Sequence, residues 1–124
     1  MLNLFSEIPE DLPEELVNEL VNQRGVRVER IVSQGHRSPD DFWYEQSEHE
    51  WVLVIQGAGR LSFEDRPDVL LSAGDSLLIP AGQRHRVEWT DPLTATIWLT
   101  VFFGESSSQA ATECNDHQNI APKD

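Results

Sequence analysis

Cysteine, basic residues and long hydrophobic runs are all scarce in this sequence. The single cysteine, Cys114, cannot form an internal disulfide, so nothing indicates an oxidising compartment. Nine lysines and arginines stand against 22 acidic residues, and the net charge of −13 argues against nucleic acid or an anionic membrane surface as a partner. No run approaches the roughly 20 apolar residues that span a bilayer, and the N-terminus lacks the features of a signal peptide. These absences predict a soluble cytoplasmic protein.

The length of 124 residues fits one domain with flanking segments. Residues 9–22 predict a short helix, because Asp11 can cap it and leucines recur every four residues from Leu12 to Leu20. Gly25 would end this helix. Beyond residue 104 the chain is polar and has little apolar surface to bury, which predicts disorder. We therefore predict a helical N-terminal segment at 1–25, a barrel at 26–104 and a disordered tail at 105–124.

The central part of the chain alternates between short apolar segments and turn residues. Eight or so segments with a period of two are separated by Gly, Pro and Asp, which predicts an all-β fold, an antiparallel barrel or jelly roll. The segment at 51–55 is apolar on both faces. One face would fill the barrel, and the other needs a cover, either the N-terminal helix or a second subunit. On this ground we expect a homodimer.

Two spaced motifs lie within these strands. One combines turn residues with a histidine and reads Gly74-x5-Pro80-x-Gly82-x2-His85. The other reads Glu50-x6-Gly57. Both resemble the conserved motifs of the cupin family, and the strand pattern extends the resemblance over residues 26–103. The resemblance implies a small, single-domain, RmlC-like cupin with an antiparallel β-barrel, usually dimeric.

The resemblance also implies which residues would hold a metal. Cupins that bind metal normally use two histidines and a glutamate from the first motif and one histidine from the second. Glu50 and His85 match the glutamate and the last histidine. A spacer of three residues before Glu50 places Tyr44 and Gln46 where the histidine pair would stand. The metal site implied for this chain is therefore divergent.

Other residues near the first motif are alternative ligands. A spacer of four residues would place Trp43 and Glu45 at the histidine positions, so Glu45 is one substitute. His49 is another, although strict alternation along a strand points it away from the face of Glu50. His36 lies in a turn-like segment, where a solvated histidine is the ordinary interpretation.

The chemistry of these residue types also suits a metal site inside the barrel. If Glu50 shares the barrel interior with Val52, its carboxylate needs a partner, a proton or a metal, because an unpaired charge there is costly. An oxygen-rich site with one imidazole suits Fe, Mn, Ni or Zn without selecting among them. Tyr44 or Glu45 would then serve as a catalytic proton donor or acceptor. The candidate metal ligands are Glu50, His85, Gln46 and Tyr44, with Glu45 or His49 as substitutes.

Two functions remain open from the sequence. In the first, a divalent metal is bound and the barrel acts on or holds a small polar molecule. In the second, Glu50, His85 and Tyr44 form a metal-free hydrogen-bonded cluster, and the barrel binds or senses a small ligand without catalysis. Arg84 and Arg86 flank the histidine, either balancing the acidic residues or contacting an anion at the barrel mouth. The sequence does not decide whether the protein is an enzyme.

Overall fold

The computed structural model describes residues 2–104, which form eight β-strands and no helix. The strands are β1 (Leu16–Gln23), β2 (Val26–Ser33), β3 (His49–Gln56), β4 (Ala58–Phe63), β5 (Arg66–Ser72), β6 (Ser76–Ile79), β7 (His85–Thr90) and β8 (Thr96–Phe103). The predicted disordered tail at 105–124 lies outside the described residues. Within the described chain, no helix is long and apolar enough to cross a membrane.

The strands form two facing antiparallel sheets. The larger sheet has the order β1-β2-β8-β3-β6, and the smaller has the order β5-β4-β7. Apolar side chains that alternate along the strands meet between the sheets, as expected when one face of each sheet is buried. The buried core consists of Val52, Val54, Leu61, Phe63, Leu71, Ile79 and Trp98. This architecture confirms the predicted all-β antiparallel barrel or jelly roll.

The predicted N-terminal helix is wrong, because part of that segment forms strand β1. β1 pairs with β2 along its whole length, and Arg24 and Gly25 connect the two strands. Both connecting residues have positive φ, 49° and 82°, which is the conformation of a tight hairpin turn matched to the twist of the strands. Gly25 therefore belongs to a hairpin and does not end a helix. Residues 16–23 extend the larger sheet, so the N-terminal segment is not a separate helical unit.

The stretch from Gly74 to His85 forms the structure that its spacing predicted. β6 ends just before Pro80, the chain turns through Gly82 at a φ of 83°, and His85 opens β7. β6 belongs to the larger sheet and β7 to the smaller one. The turn therefore carries the chain from one sheet to the other and places a histidine at the start of the second.

The outer face of the larger sheet carries apolar side chains and one buried arginine. Cross-strand neighbours share a face, so Trp51 of β3 lies beside Leu78 of β6 on the side opposite the core. Arg30 of β2 is only 1% exposed. Its guanidinium donates hydrogen bonds to Oδ1 of Asn18 and to the carbonyl oxygens of residues 3, 4 and 6. Arg30 thus holds the N-terminal residues over part of the outer face.

Candidate metal and ligand site

The two motif residues come from opposite sheets and meet between them. Glu50 is the second residue of β3 and pairs across the larger sheet with Ile79 and Phe102, whose side chains are buried. His85 is the first residue of β7 in the smaller sheet. Nε2 of His85 lies 3.3 Å from Oε1 of Glu50, and the two side chains are 6% and 14% exposed. The closure of the barrel therefore brings together a pair that lies 35 positions apart in the chain.

The hydrogen bonds of His85 determine what must lie between it and Glu50. Nδ1 is 2.9 Å from the carbonyl oxygen of Gln83, which can only accept, so Nδ1 carries a proton. In the neutral imidazole, Nε2 would then direct a lone pair at the carboxylate of Glu50. The 3.3 Å contact between Nε2 and the carboxylate is favourable only if Nε2 also carries a proton or if a cation binds both atoms.

The electrostatic environment favours the protonated form of His85 in the metal-free protein. Burial alone lowers the pKa of His85, since it disfavours the charged ring. The hydrogen bond that the ring donates to Glu50, the negative charge of Glu50 and the hydrogen bond to the Gln83 carbonyl together outweigh burial, although the charge of Arg66 opposes them. The pKa of His85 consequently lies above its ordinary value of 6.5.

Tyr44 and Gln46 reach the same site because their segment runs beside the start of β7. The backbones of Tyr44 and His85 exchange two hydrogen bonds, of 2.7 and 3.0 Å, and their rings stack at 5.7 Å. The N–H of Gly82 donates to the carbonyl oxygen of Gln46 at 2.8 Å. Nε2 of Gln46 donates to Oε1 of Glu50 at 3.1 Å. Four of the predicted site residues therefore converge, from three separate parts of the chain.

These residues line a cavity of about 70 Å³ between the sheets. The remaining walls are mostly apolar, with Leu61, Val87 and Trp98 among them. A water molecule needs roughly 10–15 Å³ of such space, so the cavity has room for several waters or for part of a small ligand. Polar groups on apolar walls are the usual composition of a small-molecule site.

The structure does not bring the substitute ligands into the cavity. The side chain of Glu45 is 60% exposed and lies 3.7 Å from Arg84, because alternation along 44–46 turns it outward. His49 points to the outer face, where its Nδ1 accepts the N–H of Ala81 at 2.9 Å and its ring packs against Phe103. Glu45 is therefore not placed to act as a ligand or proton donor here, and His49 stabilises the motif turn.

The other candidates from the sequence also lie outside this cavity. His36 lines a second cavity of about 260 Å³, and its Nδ1 accepts the backbone N–H of Gln34. The guanidinium groups of Arg84 and Arg86 lie over the Trp43 ring, 5.8 and 5.9 Å from its centroid. Arg84 also bonds Glu64, so it balances acidic residues at the surface.

One site residue, Glu15, was missed by the sequence analysis. It immediately precedes β1, lines the cavity with Glu50, and accepts a hydrogen bond from Ser33 at 2.7 Å. Its segment was predicted to be a helix that packs outside the barrel, so its carboxylate had no predicted role. No sequence signal indicates this placement, because the apolar residues at 16–21 recur at helical spacing.

The donor atoms fit a single divalent ion. Metal–ligand bonds of roughly 2.0–2.2 Å allow two ligands of one ion to be no more than about 4.4 Å apart, and Nε2 of His85 and Oε1 of Glu50 satisfy this limit. With the proton on Nδ1, Nε2 is the ring nitrogen that would coordinate such an ion. Within residues 2–104, no group of three His, Cys, Asp or Glu side chains is close enough together to hold one metal ion. Further donors would therefore be the phenol of Tyr44 and the amide of Gln46.

Comparisons with known proteins agree with this architecture. The model of the Cupin domain family matches residues 29–102. No curated protein matches the chain. The chain is similar to a solved structure from Ralstonia eutropha JMP134 that carries the provisional name mannose-6-phosphate isomerase. The two are 38% identical, with 85% of this chain and 98% of that one covered and a TM-score of 0.81.

More distant solved structures share the fold. A cupin superfamily protein of Desulfitobacterium hafniense DCB-2 is 18% identical, with 79% of this chain and 84% of that one covered and a TM-score of 0.65. An RmlC-like cupin of Methanocaldococcus jannaschii with a double-stranded β-helix fold is 20% identical, with 79% and 87% covered and a TM-score of 0.62. The family match spans more than half of the sequence, and the two facing sheets bring the motif residues Glu50 and His85 together. The chain therefore belongs to the cupin family.

Proposed function

We propose that this small cupin binds one divalent metal ion through Glu50 and His85 and holds a small polar molecule beside it. The observation that carries the proposal is the pair of facing atoms, Nε2 of His85 and Oε1 of Glu50, 3.3 Å apart in a cavity whose walls are mostly apolar. Such a pair needs a proton or a cation between its members. A buried carboxylate and imidazole supported by Tyr44 and Gln46 suit Fe, Mn, Ni or Zn.

The site also has the groups for proton transfer on the bound molecule. A metal ion held there would polarise a carbonyl or hydroxyl oxygen of that molecule. With Glu50 and His85 as ligands of the ion, the phenol of Tyr44 and the carboxylate of Glu15, which line the same cavity, are the groups that would donate and accept the proton. The Ralstonia protein carries the name of a sugar-phosphate isomerase, and moving a proton between adjacent carbons needs such a pair. An isomerisation of a hydroxy-carbonyl compound is therefore the reaction we propose.

Metal analysis of the purified protein tests the site directly. We expect wild type to carry one equivalent of a divalent metal, and Glu50→Gln and His85→Ala to bind it at least about tenfold more weakly, since each removes a ligand. Glu45→Gln is the matched control, because it removes a carboxylate one position from Gln46 that lies outside the cavity. Wild-type protein that takes up no stoichiometric metal after incubation with each ion would contradict the proposal.

A metal-free ligand-binding barrel is the second candidate function. It is favoured by the convergence of only two strong ligand side chains within the described chain and by the direct contact between them. In this form His85 is an imidazolium that donates to both Gln83 and Glu50. The ionic pair would then order the cavity for a ligand without catalysing a reaction.

The pH dependence of stability reports on that ionic pair. Because the pKa of His85 is raised in the folded state, its stabilising effect is fully present below about 6.5, the unfolded value, and is lost as the pH rises through the folded pKa. We expect the free energy of unfolding of metal-free wild type to fall over that window. His85→Gln should remove this component, and NMR titration of the ring should place its midpoint above 6.5. A midpoint below that value would contradict the pairing.

We also infer that the protein is a homodimer that covers the outer face of its larger sheet. No helix covers this face among the described residues, and Leu78 remains 49% exposed beside Trp51. We expect light scattering to give twice the chain mass for wild type. Leu78→Glu should give the monomer mass, because it places a charge in the buried contact. Leu70→Glu, a half-exposed leucine on the smaller sheet, should remain dimeric. A monomeric wild type would contradict the inference.

A further inference from the structure

The cavity between the sheets has a polar end and an apolar end, as the register of β3 and β8 shows. Glu50 pairs with Phe102 at the polar end, where His85 and Gln46 also lie. Trp98 lines the same cavity four positions before Phe102, which is about 13 Å further along the strand. Trp98 therefore belongs to the end of the cavity away from Glu50 and His85.

The indole of Trp98 is held at two points. Its Nε1–H donates a hydrogen bond of 3.3 Å to Oγ of Ser33, a fully buried residue of β2. The six-membered ring reaches the backbone of β4 in the smaller sheet, because a Cβ built on Gly59 would lie 2.5 Å from both Cζ2 and Cη2. The indole therefore crosses the space between the two sheets, and it can do so only because residue 59 has no side chain.

The cavity ends at this indole. Among the described residues, neither Thr96, two positions beyond Trp98 on β8, nor Val54, its partner on β3, lines the cavity. Val54 and Trp98 both belong to the packed core. The open space next to the indole thus lies on the cavity side, so a group that displaced the ring would move it into the cavity and shorten the space for a ligand.

The walls determine the direction in which a bound molecule extends. Between the polar end and Trp98, apolar side chains such as Val52 and Leu61 line the cavity. The outer cavity has mostly polar lining groups, among them His36 and Arg37. Removing carbon from water is favourable only against an apolar wall. A molecule whose oxygens lie at the polar end therefore directs its carbon chain toward Trp98.

We propose that Trp98, placed by Gly59, is a specificity-determining residue that limits the length of the carbon chain this cavity accepts. The inference deepens the proposed function and rests on it, because it names the size class of the molecule held at the same site. The cavity of about 70 Å³ has room for about five to seven water-sized groups, and a bound metal ion would take one of these places. This is the size of a hydroxy-ketone of three to five carbons, and a six-carbon sugar exceeds it.

A series of 1-hydroxy-2-ketones tests the limit. Hydroxyacetone, 1-hydroxy-2-butanone, 1-hydroxy-2-pentanone and 1-hydroxy-2-hexanone present the same two oxygens, so the charges of the site and any bound metal act on all four alike. We would titrate each compound into ¹³C-methyl-labelled protein and follow the methyl signals of Leu61 and Val87, which line the cavity. In wild type we expect the affinity to rise about three- to fourfold per added carbon up to the pentanone and to rise no further with the hexanone.

Two variants and a matched control connect this limit to Trp98. In Trp98→Phe the hexanone should bind at least about threefold more tightly than the pentanone, because the smaller ring leaves space for another carbon. In Gly59→Ala the gain should stop at least one carbon earlier, since the added Cβ displaces the indole. The double variant should recover the wild-type limit, which a general loss of stability would not produce. Trp89→Phe makes the same change on a half-exposed ring of β7 and should leave the limit unchanged.

Several outcomes would overturn the inference. Affinity that keeps rising through the hexanone in wild type, a limit unchanged in Trp98→Phe, or methyl signals that none of the compounds moves would each contradict it. If Gly59→Ala does not fold, the result for Trp98→Phe decides alone. The titrations are run on chelator-treated and on metal-loaded protein. A protein that takes up no metal but shows the length limit would contradict the metal site and support the role of Trp98, and a metal-binding protein without the limit would do the reverse.

Discussion

Replacing Gly57 with alanine is expected to destabilise the fold strongly, because two separate costs add at this position. Gly57 links β3 to β4 with a φ of 88°, a conformation that costs an L-residue about 1–2 kcal/mol. A Cβ atom there would clash with the side chain of Thr96 and lie 2.7 Å from its Cα and 3.0 Å from the carbonyl oxygen of Ala95. Because relieving a clash with backbone atoms requires the strand itself to shift, we expect the free energy of unfolding to fall by about 1–3 kcal/mol more.

Gly74→Ala is the control that separates the two contributions to this loss. Gly74 has a similar φ of 93°, but a Cβ there would have nothing within 4 Å. Urea denaturation should show that the free energy of unfolding falls by about 1–2 kcal/mol in Gly74→Ala and by about 2–5 kcal/mol in Gly57→Ala, which is a large part of a typical domain's stability. Equal losses in the two variants would show that the close approach of β8 to Gly57 does not limit the turn.

Replacing Arg30 with methionine is expected to release the N-terminal residues from the barrel. Methionine keeps an apolar stem of similar length, but it leaves Oδ1 of Asn18 and the carbonyl oxygens of residues 3, 4 and 6 without their donor. An unsatisfied buried acceptor costs about 1–3 kcal/mol, which the chain can avoid by exposing the segment to water. We therefore expect a loss of about 2–3 kcal/mol together with local opening.

Chymotrypsin cleavage and urea denaturation measure these two effects. Cleavage beside Leu4 and Phe5 should accelerate at least about tenfold in Arg30→Met, because local opening exposes the segment. Arg60→Met is the matched control, since Arg60 lies over the ring of Trp89 on the smaller sheet, 5.7 Å from its centroid, and is not bonded to the N-terminal residues. A cleavage rate in Arg30→Met equal to that of wild type would show that other contacts hold the segment.

The strands of the central part of the chain could be predicted because their turns are encoded locally. Pro80 and Gly82 impose a chain reversal whatever the surroundings. The spacing of these motif residues was therefore enough to predict β6, the turn after it and the position of His85 at the start of β7. Strand β1 could not be predicted in the same way. Its leucines recur every four residues, which suits a helix, and no alternation of apolar and polar residues indicates a strand. Pairing with β2 overrides this local pattern, and the hairpin places Arg24 at a positive φ, which is uncommon for arginine.

The candidate site could be predicted only in part, for a related reason. The motif spacing identified Glu50 and His85, and a period of two along 44–46 explains why Tyr44 and Gln46 face inward while Glu45 faces outward. The contact between Glu50 and His85 depends on how the two sheets close, which no local pattern reports. Glu15 belongs to the segment whose conformation was mispredicted, so its place in the cavity required the tertiary structure.

The origin of Glu50 and His85 in different sheets gives the site a mechanical role. Any ion or molecule that binds both residues joins β3 of the larger sheet to β7 of the smaller one, and so acts as a removable cross-link across the barrel. Unfolding must break that cross-link, so binding energy at the site becomes folding energy for the whole domain. A ligand at about 100 times its dissociation constant would add about 2.7 kcal/mol to stability. Occupancy of the cavity would thus be reported by the resistance of the entire barrel to heat.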